Sequence, residues 1–240
     1  MPRRGRPRAR RLGPSLLCAA VLAAGGAALA TGCGSSDDEA LTVSAASSLK
    51  TALTNHAEGF DQAEVRLAFG GSDQLAAQIR AGVRPDVYAA ANTELPERLH
   101  AEGLVERPVR FASNRIVVAV RDDSDARTIG DIRRVAIGSP SVPVGAYARQ
   151  ALRRLGPIEI ASEEPDVASI VARVRAGAVD AGFVYATDVA AVEGLRAIEL
   201  PFRTRVEYAA AVVRGAGGAA REFVASLRGA EALRDAGFGP

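Results

Sequence analysis

Leu41-Thr42-Val43-Ser44-Ala45-Ala46-Ser47-Ser48-Leu49 is a short apolar run that breaks, at two serines, into a helical pattern. Leu41–Ala45 reads as a strand, and Leu49, Leu53, Ala57 and Phe60 then recur at the spacing of one helix face. The same strand-then-helix order follows twice more. Val65–Phe69 alternates as a strand, with Leu75 and Ile79 on one helix face behind it. Asp86–Ala91 is a third strand, before a helix near Glu94–Glu102. This βαβαβ rhythm predicts a parallel sheet covered by helices.

A second set of elements follows. Arg115–Val120, Val135–Ile137 and Gly182–Tyr185 read as strands, and so do Arg196–Leu200 and Val206–Val213. Tyr147, Ala151, Leu152 and Leu155 mark one helix; Val167, Ile170, Val171 and Val174 mark another; Ala219–Leu227 is a third. Two α/β units of this size predict two lobes with a cleft between them, because such sheets hold ligands at the carboxyl ends of their strands. The chain is expected to cross between lobes near Ser113–Val118 and to return near Pro201–Glu207. Residues 41–114 and 205–240 then make one lobe, and 115–204 the other.

The formal charge of +2 is misleading as a guide to partners. Arg3, Arg4, Arg6, Arg8, Arg10 and Arg11 precede every acidic residue. Once residues 1–32 are set aside, 24 basic groups stand against 28 acidic ones, a net of −4. The basicity belongs to an address label, so nucleic-acid binding loses its support. The label has a positive start and an apolar run, Leu16–Ala30, too short for a comfortable membrane span. It ends in Leu29-Ala30-Thr31-Gly32-Cys33, which resembles a bacterial lipobox with Ala30 where Leu is usual. Cys33 is the expected lipid attachment point, and residues 1–33 the lipoprotein signal peptide. Residues 34–40 then form a polar tether. Cys18 lies inside the apolar run, so the mature chain has no disulfide and no other thiol.

Four strand-to-helix junctions share one design. They are Ala45–Leu49, Phe69–Leu75, Gly138–Gly145 and Pro165–Ala168, each with a small or uncharged polar residue near the helix start. A helix start leaves about four backbone N–H groups without partners, and their partial positive charge holds anions without a cationic side chain. A serine adds a hydroxyl donor, and Gly70 and Gly71 allow a tight turn. Each junction alone could be an ordinary cap; the four together point to an anion.

The order and spacing of several stretches carry a more specific reading. Leu41–Leu49, Phe69–Ile79, Pro85–Ala91, Ala136–Pro140, Val142–Ala148, Gly182–Asp188 and Ala236–Phe238 together resemble the periplasmic molybdate-binding proteins of ABC transporters. The resemblance covers nearly all of residues 41–240. It implies a two-lobe α/β fold of the type II periplasmic-binding-protein kind, each lobe a mixed, mostly parallel sheet flanked by helices. It implies capture of molybdate or tungstate outside the cytoplasm for delivery to a membrane permease, by a monomer with no cofactor and no catalytic activity. The ligand set it implies is the Ser48 and Ser72 hydroxyls, the Val144 and Val167 N–H groups, and the Tyr185 hydroxyl. Val144 stands where Ala is usual. Ser139 replaces a usual Asp, and the loop to Gly145 is one residue shorter than the family pattern, which bears on where the Val144 N–H lies.

Other readings remain open on the residues. Another oxyanion or a small carboxylate would favour an Arg contact, with Arg115 and Arg205 near the crossovers as candidates. An enzyme on the same fold would need a charged side chain beside Ser48; His56 and His100 lie on or near helices away from the junctions. Asp122, Asp123 and Asp125 make a solvated acidic loop, and no His/Cys spacing suits a metal cation.

Overall fold

The computed structural model describes residues 40–240. The expected signal peptide, Cys33 and almost all of the tether lie outside them. Strand β1 (Leu41–Ala46) runs through a 3-10 turn, Ser47–Leu49, into α1 (Lys50–Glu58). Then come β2 (Val65–Gly70), α2 (Ser72–Arg80), β3 (Val87–Ala90), α3 (Glu94–Ala101) and β4 (Val109–Asn114). The next group is β5 (Ile116–Arg121), β6 (Arg134–Gly138), α4 (Pro143–Leu155), β7 (Glu159–Glu164) and α5 (Val167–Arg175). The chain continues through β8 (Ala181–Tyr185), α6 (Ala186–Ala190), β9 (Leu195–Ile198), β10 (Val206–Val212), α7 (Gly218–Ser226) and α8 (Glu231–Asp235).

Two five-stranded sheets share one plan. The first has the order β2-β1-β3-β10-β4 and the second β7-β6-β8-β5-β9. Strand β1 is parallel to β2 and β3, while β10 is antiparallel to β3 and β4. Likewise β6 is parallel to β7 and β8, while β5 is antiparallel to β8 and β9. The reversed strand in each sheet is the one that has just arrived from the other. The chain leaves the first sheet at Asn114 and enters the second at Ile116; it returns between Ile198 and Val206. The two lobes are therefore joined by two adjacent crossovers, the arrangement expected of a hinge.

The central strands are buried along their whole length, β3 and β8 without exception. Leu49 and Leu53 seal α1 onto the first sheet, and Ile170 and Val174 seal α5 onto the second. Gly182 lets α5 approach closely: an added Cβ would meet the side chains of Ile170 and Val174 at 2.5 and 2.8 Å. No helix among the described residues is long and apolar enough to cross a membrane.

Four elements escape the periodicity argument. Strands β4 and β7 are both sheet edges. An edge strand is half solvated and can carry charge, so Val109-Arg110-Phe111-Ala112-Ser113-Asn114 and Glu159-Ile160-Ala161-Ser162-Glu163-Glu164 show no apolar run. Helices α6 and α8 have five residues each, too few to show a 3.6-residue period. Helix α4 starts at Pro143, four residues before the first apolar marker that predicts it, because Pro suits the first helical turn.

Candidate functional site

All four junctions meet at one hollow between the two sheets. Its wall is made by Ala46, Ser47 and Ser48, by Gly70, Gly71 and Ser72, by Ala91, by Val142, Pro143 and Val144, by Asp166 and Val167, and by Tyr185. Ser48, Ser72, Val144, Val167 and Tyr185 are thus together. The space inside is small, about 10 Å³, which excludes any ligand of more than a few atoms unless the lobes part.

Each donor is held by its local structure. Ser48 sits in the 3-10 turn and is buried, its Oγ 3.0 Å from the Tyr208 hydroxyl. Ser72 is the first residue of α2 and only 2% exposed. Its Oγ accepts from the Ala91 N–H at 3.2 Å, and its carbonyl accepts from Tyr88 Oη at 2.7 Å. The Ser72 hydroxyl proton is therefore left over. Val144 and Val167 occupy the first turns of α4 and α5, where a backbone N–H has no intrahelical acceptor. The shortened loop before α4 is closed by Ser139 N–H donating to Glu164 O at 2.8 Å and Val142 N–H to Ser139 O at 3.1 Å. Gly145 makes this turn fit, since a Cβ there would collide with the carbonyl oxygens of Gly138 and Ser139. Tyr185 ends β8 and is 1% exposed; its Oη is buried with no hydrogen-bond partner.

The electrostatics suit an anion. No Arg, Lys or His lines this hollow. The one charged group, Asp166, is engaged as the cap of α5, its Oδ1 accepting from Ser169 N–H at 2.8 Å. Burial pushes the Tyr185 hydroxyl well above its ordinary value, with nearby acidic groups adding to the effect. The group stays protonated at any working pH, so it is a neutral donor. An unpaired buried hydroxyl costs roughly 1–3 kcal/mol, a cost that an incoming acceptor removes.

Contacts across the cleft surround the hollow. Gly71 of the first lobe lies against the Pro165 carbonyl of the second, leaving no room for a Cβ. Ser141 Oγ donates to Asp73 Oδ2 at 2.6 Å. Near the crossovers Asn114 Nδ2 donates to Thr187 Oγ1 at 2.9 Å, and the rings of Tyr185 and Tyr208 meet edge to face at 5.8 Å. None of Asp73, Ser141, Asn114, Thr187 or Tyr208 was legible as a site residue in the sequence. Their partners lie tens of residues away or more, and only the lone Tyr in the Ala/Val run of β10 hints at a special position.

A larger hollow of about 360 Å³ flanks the first and shares Ser47 and Ser48 with it. Alanines line much of it, and Lys50, Asp188 and Asp235 bring charge to its edge. First-turn residues of α1, α5 and α6 line part of it, but Asp188 and Asp235 stand there too and Ser72, Val144 and Tyr185 do not, so the smaller space is the candidate for the anion. Asp188 links the two, because its Oδ2 accepts from the Tyr185 N–H at 2.9 Å. Crowding by protein atoms raises its carboxyl to about 7; the Tyr185 hydrogen bond opposes this and the Asp166 charge adds to it. An unfolded Asp ionises near 4, so the native state keeps a proton the unfolded chain has lost. The stability this contributes is complete below about pH 4 and is lost as the pH rises through 7. Asp188 is only partly buried, which reduces the effect. Unfolding free energies in urea should fall by on the order of 1–2 kcal/mol between pH 5 and 8 relative to Asp188→Asn. Parallel pH profiles for the two proteins would exclude Asp188 as the source.

The remaining candidates lie elsewhere. His56 packs against Phe223 and contacts Ser226 Oγ at 2.8 Å; His100 contacts the Val105 carbonyl at 3.1 Å. Arg115 pairs with Glu199 and Arg205 with Glu207, both away from the hollow. Asp123 pairs with Arg121. Among the described residues no three His, Cys, Asp or Glu side chains gather as a cation site.

Comparison with known proteins places this architecture. Residues 41–239 match the family model described as bacterial extracellular solute-binding protein. The molybdate-binding protein ModA of Mycobacterium tuberculosis is 32% identical over 211 residues, covering 81% of each chain. ModA of Escherichia coli is 29% identical over 221 residues, covering 82% of this chain and 86% of its own. In structure, the periplasmic molybdate-binding protein of Azotobacter vinelandii superposes with a TM-score of 0.72 at 21% identity, over 83% of this chain and 99% of that one. The structural match shows a shared fold, and the family match spans both sheets: this chain belongs to the bacterial extracellular solute-binding proteins, in the company of the relatives named molybdate-binding proteins.

Proposed function

We propose that this protein captures molybdate or tungstate in the cleft between its lobes and delivers it to the membrane permease of an ABC transporter. The observation that carries the reading is the convergence of four helix starts and the hydroxyls of Ser48, Ser72 and Tyr185 on one small hollow without a cationic side chain. Uncharged donors on rigid elements satisfy a dianion's oxygens with little loss of ordering entropy. The dry cleft strengthens each of those hydrogen bonds. The names of the relatives from M. tuberculosis and E. coli support the choice of ligand.

Selection follows from size. Sulfate has shorter bonds to its oxygens than molybdate, so a set of donors spaced for the larger ion leaves some unpaired, at roughly 1–3 kcal/mol for each. A carboxylate ligand is disfavoured by the engagement of Arg115 and Arg205 in other pairs away from the hollow. An enzymatic role is disfavoured because Ser48 Oγ faces Tyr208 rather than a base. The experiment is a thermal-shift screen of the purified protein with molybdate, tungstate, sulfate, phosphate and small carboxylates. Midpoints should rise with the first two alone; a response confined to phosphate or carboxylates would replace the ligand.

In this reading residues 41–114 and 205–240 move against 115–204 about the two crossovers, opening for entry and closing on the ion. The protein works as a monomer outside the cytoplasm, held to the membrane by lipid on Cys33. Cys33→Ser is then expected to shift the protein from the membrane fraction to the soluble one after cell lysis. Unaltered membrane association would rule out the anchor.

A further inference from the structure

We propose that Tyr208 is a positioning residue for ligand binding: its hydroxyl donates to Ser48 Oγ and so turns the Ser48 proton into the hollow. The inference rests on the oxyanion reading above. The two oxygens are 3.0 Å apart in a buried contact in which either could donate. The groups behind Tyr208 decide the direction. Asn114 Oδ1 accepts from the Arg115 N–H at 2.8 Å, which fixes the amide so that Nδ2 faces Thr187 Oγ1 at 2.9 Å. With its amide so engaged, Asn114 offers the Tyr208 hydroxyl no acceptor, while Ser48 itself lines the hollow. The proton of Tyr208 has Ser48 Oγ beside it. Once Ser48 accepts that proton, its single hydrogen is free for a ligand oxygen.

The phenol is held in place for this role. Tyr208 has no exposed surface, and Phe111, Tyr185 and Phe238 meet its ring edge-on at 6.3, 5.8 and 5.3 Å. Asn114 ends the last strand before the outgoing crossover, Thr187 lies on the second lobe, and Tyr208 follows the return crossover. Tyr208 therefore sets the direction of a first-lobe donor from the strand that follows the return crossover.

The test is Tyr208→Phe in the full chain, which keeps the ring and removes only Oη. Molybdate affinity should fall roughly five- to tenfold, and the thermal midpoint of the ligand-free protein should stay near that of wild type. Added to Ser48→Ala, the same substitution should cost nothing further. An equal loss in the presence and absence of Ser48 would show a merely structural role and overturn the proposal, as would unchanged affinity in Tyr208→Phe. A wild-type chain that binds neither molybdate nor tungstate removes the functional reading and this inference with it.

Discussion

Replacing both Ser48 and Ser72 by alanine is expected to weaken oxyanion binding at least tens-fold. Each hydroxyl sits at a buried helix start on the wall of the same hollow. A hydrogen bond to a charged group contributes about 1.5–3 kcal/mol, and two lost together exceed a factor of ten even without full additivity. The free protein is affected as well. Ser72→Ala removes the acceptor of the Ala91 N–H, and Ser48→Ala removes the partner of Tyr208 Oη. Those losses occur in both free and bound states, so they lower the thermal midpoint without entering the affinity. Calorimetric titration separates the two effects. A dissociation constant equal to that of wild type would show that these serines only cap their helices.

The second large effect is steric. Gly71→Ala should leave the separate lobes intact and obstruct their closure. The Gly71 backbone has φ −64° and ψ 133°, which any residue adopts. Within its own lobe a new Cβ would press on the Asp73 side chain, whose carboxylate can turn aside. Across the cleft it would meet the Pro165 carbonyl, which belongs to the backbone of the other lobe and cannot yield without opening the hollow. Overpacking of this kind costs about 1–3 kcal/mol, or roughly 5- to 150-fold in affinity. The ligand-free stability should change by less than about 1 kcal/mol, because the open form has no such contact. Small-angle scattering with and without ligand provides the check. If the variant compacts and binds as wild type does, Gly71 is not at the closing surface.

The second experiment acts on a contact that joins the lobes, and such contacts are the features hardest to read from the chain. The helix starts were legible because their signals are local. Ser48 and Ser72 announce themselves by a strand pattern ending in small residues and a helix pattern beginning. The helix-start reading of Val144 and Val167 needed only the residues beside them. The central strands were legible because burial on both faces leaves an apolar run. Strands β4 and β7 were not, because as edges they carry Arg110, Glu163 and other charges that interrupt the pattern. Tyr208 could not be associated with Ser48, nor Asn114 with Thr187, since nothing near them in sequence refers to their partners.

Sequence by itself determined the alternation of the central strands with their helices, the positions of the four helix starts at the hollow, and the small or uncharged polar residues that stand there. Each of these depends on a window of a few residues, through burial periodicity, capping and backbone freedom. Only the tertiary structure decided that the four starts share one hollow, that Tyr208 stands behind Ser48, and that Gly71 meets Pro165. The last two of those relations join residues 160 and 94 positions apart, and no local preference encodes them. Tyr208 reaches Ser48 because the returning strand β10 joins the first sheet, and Gly71 meets Pro165 because two crossovers bring two separately built lobes together.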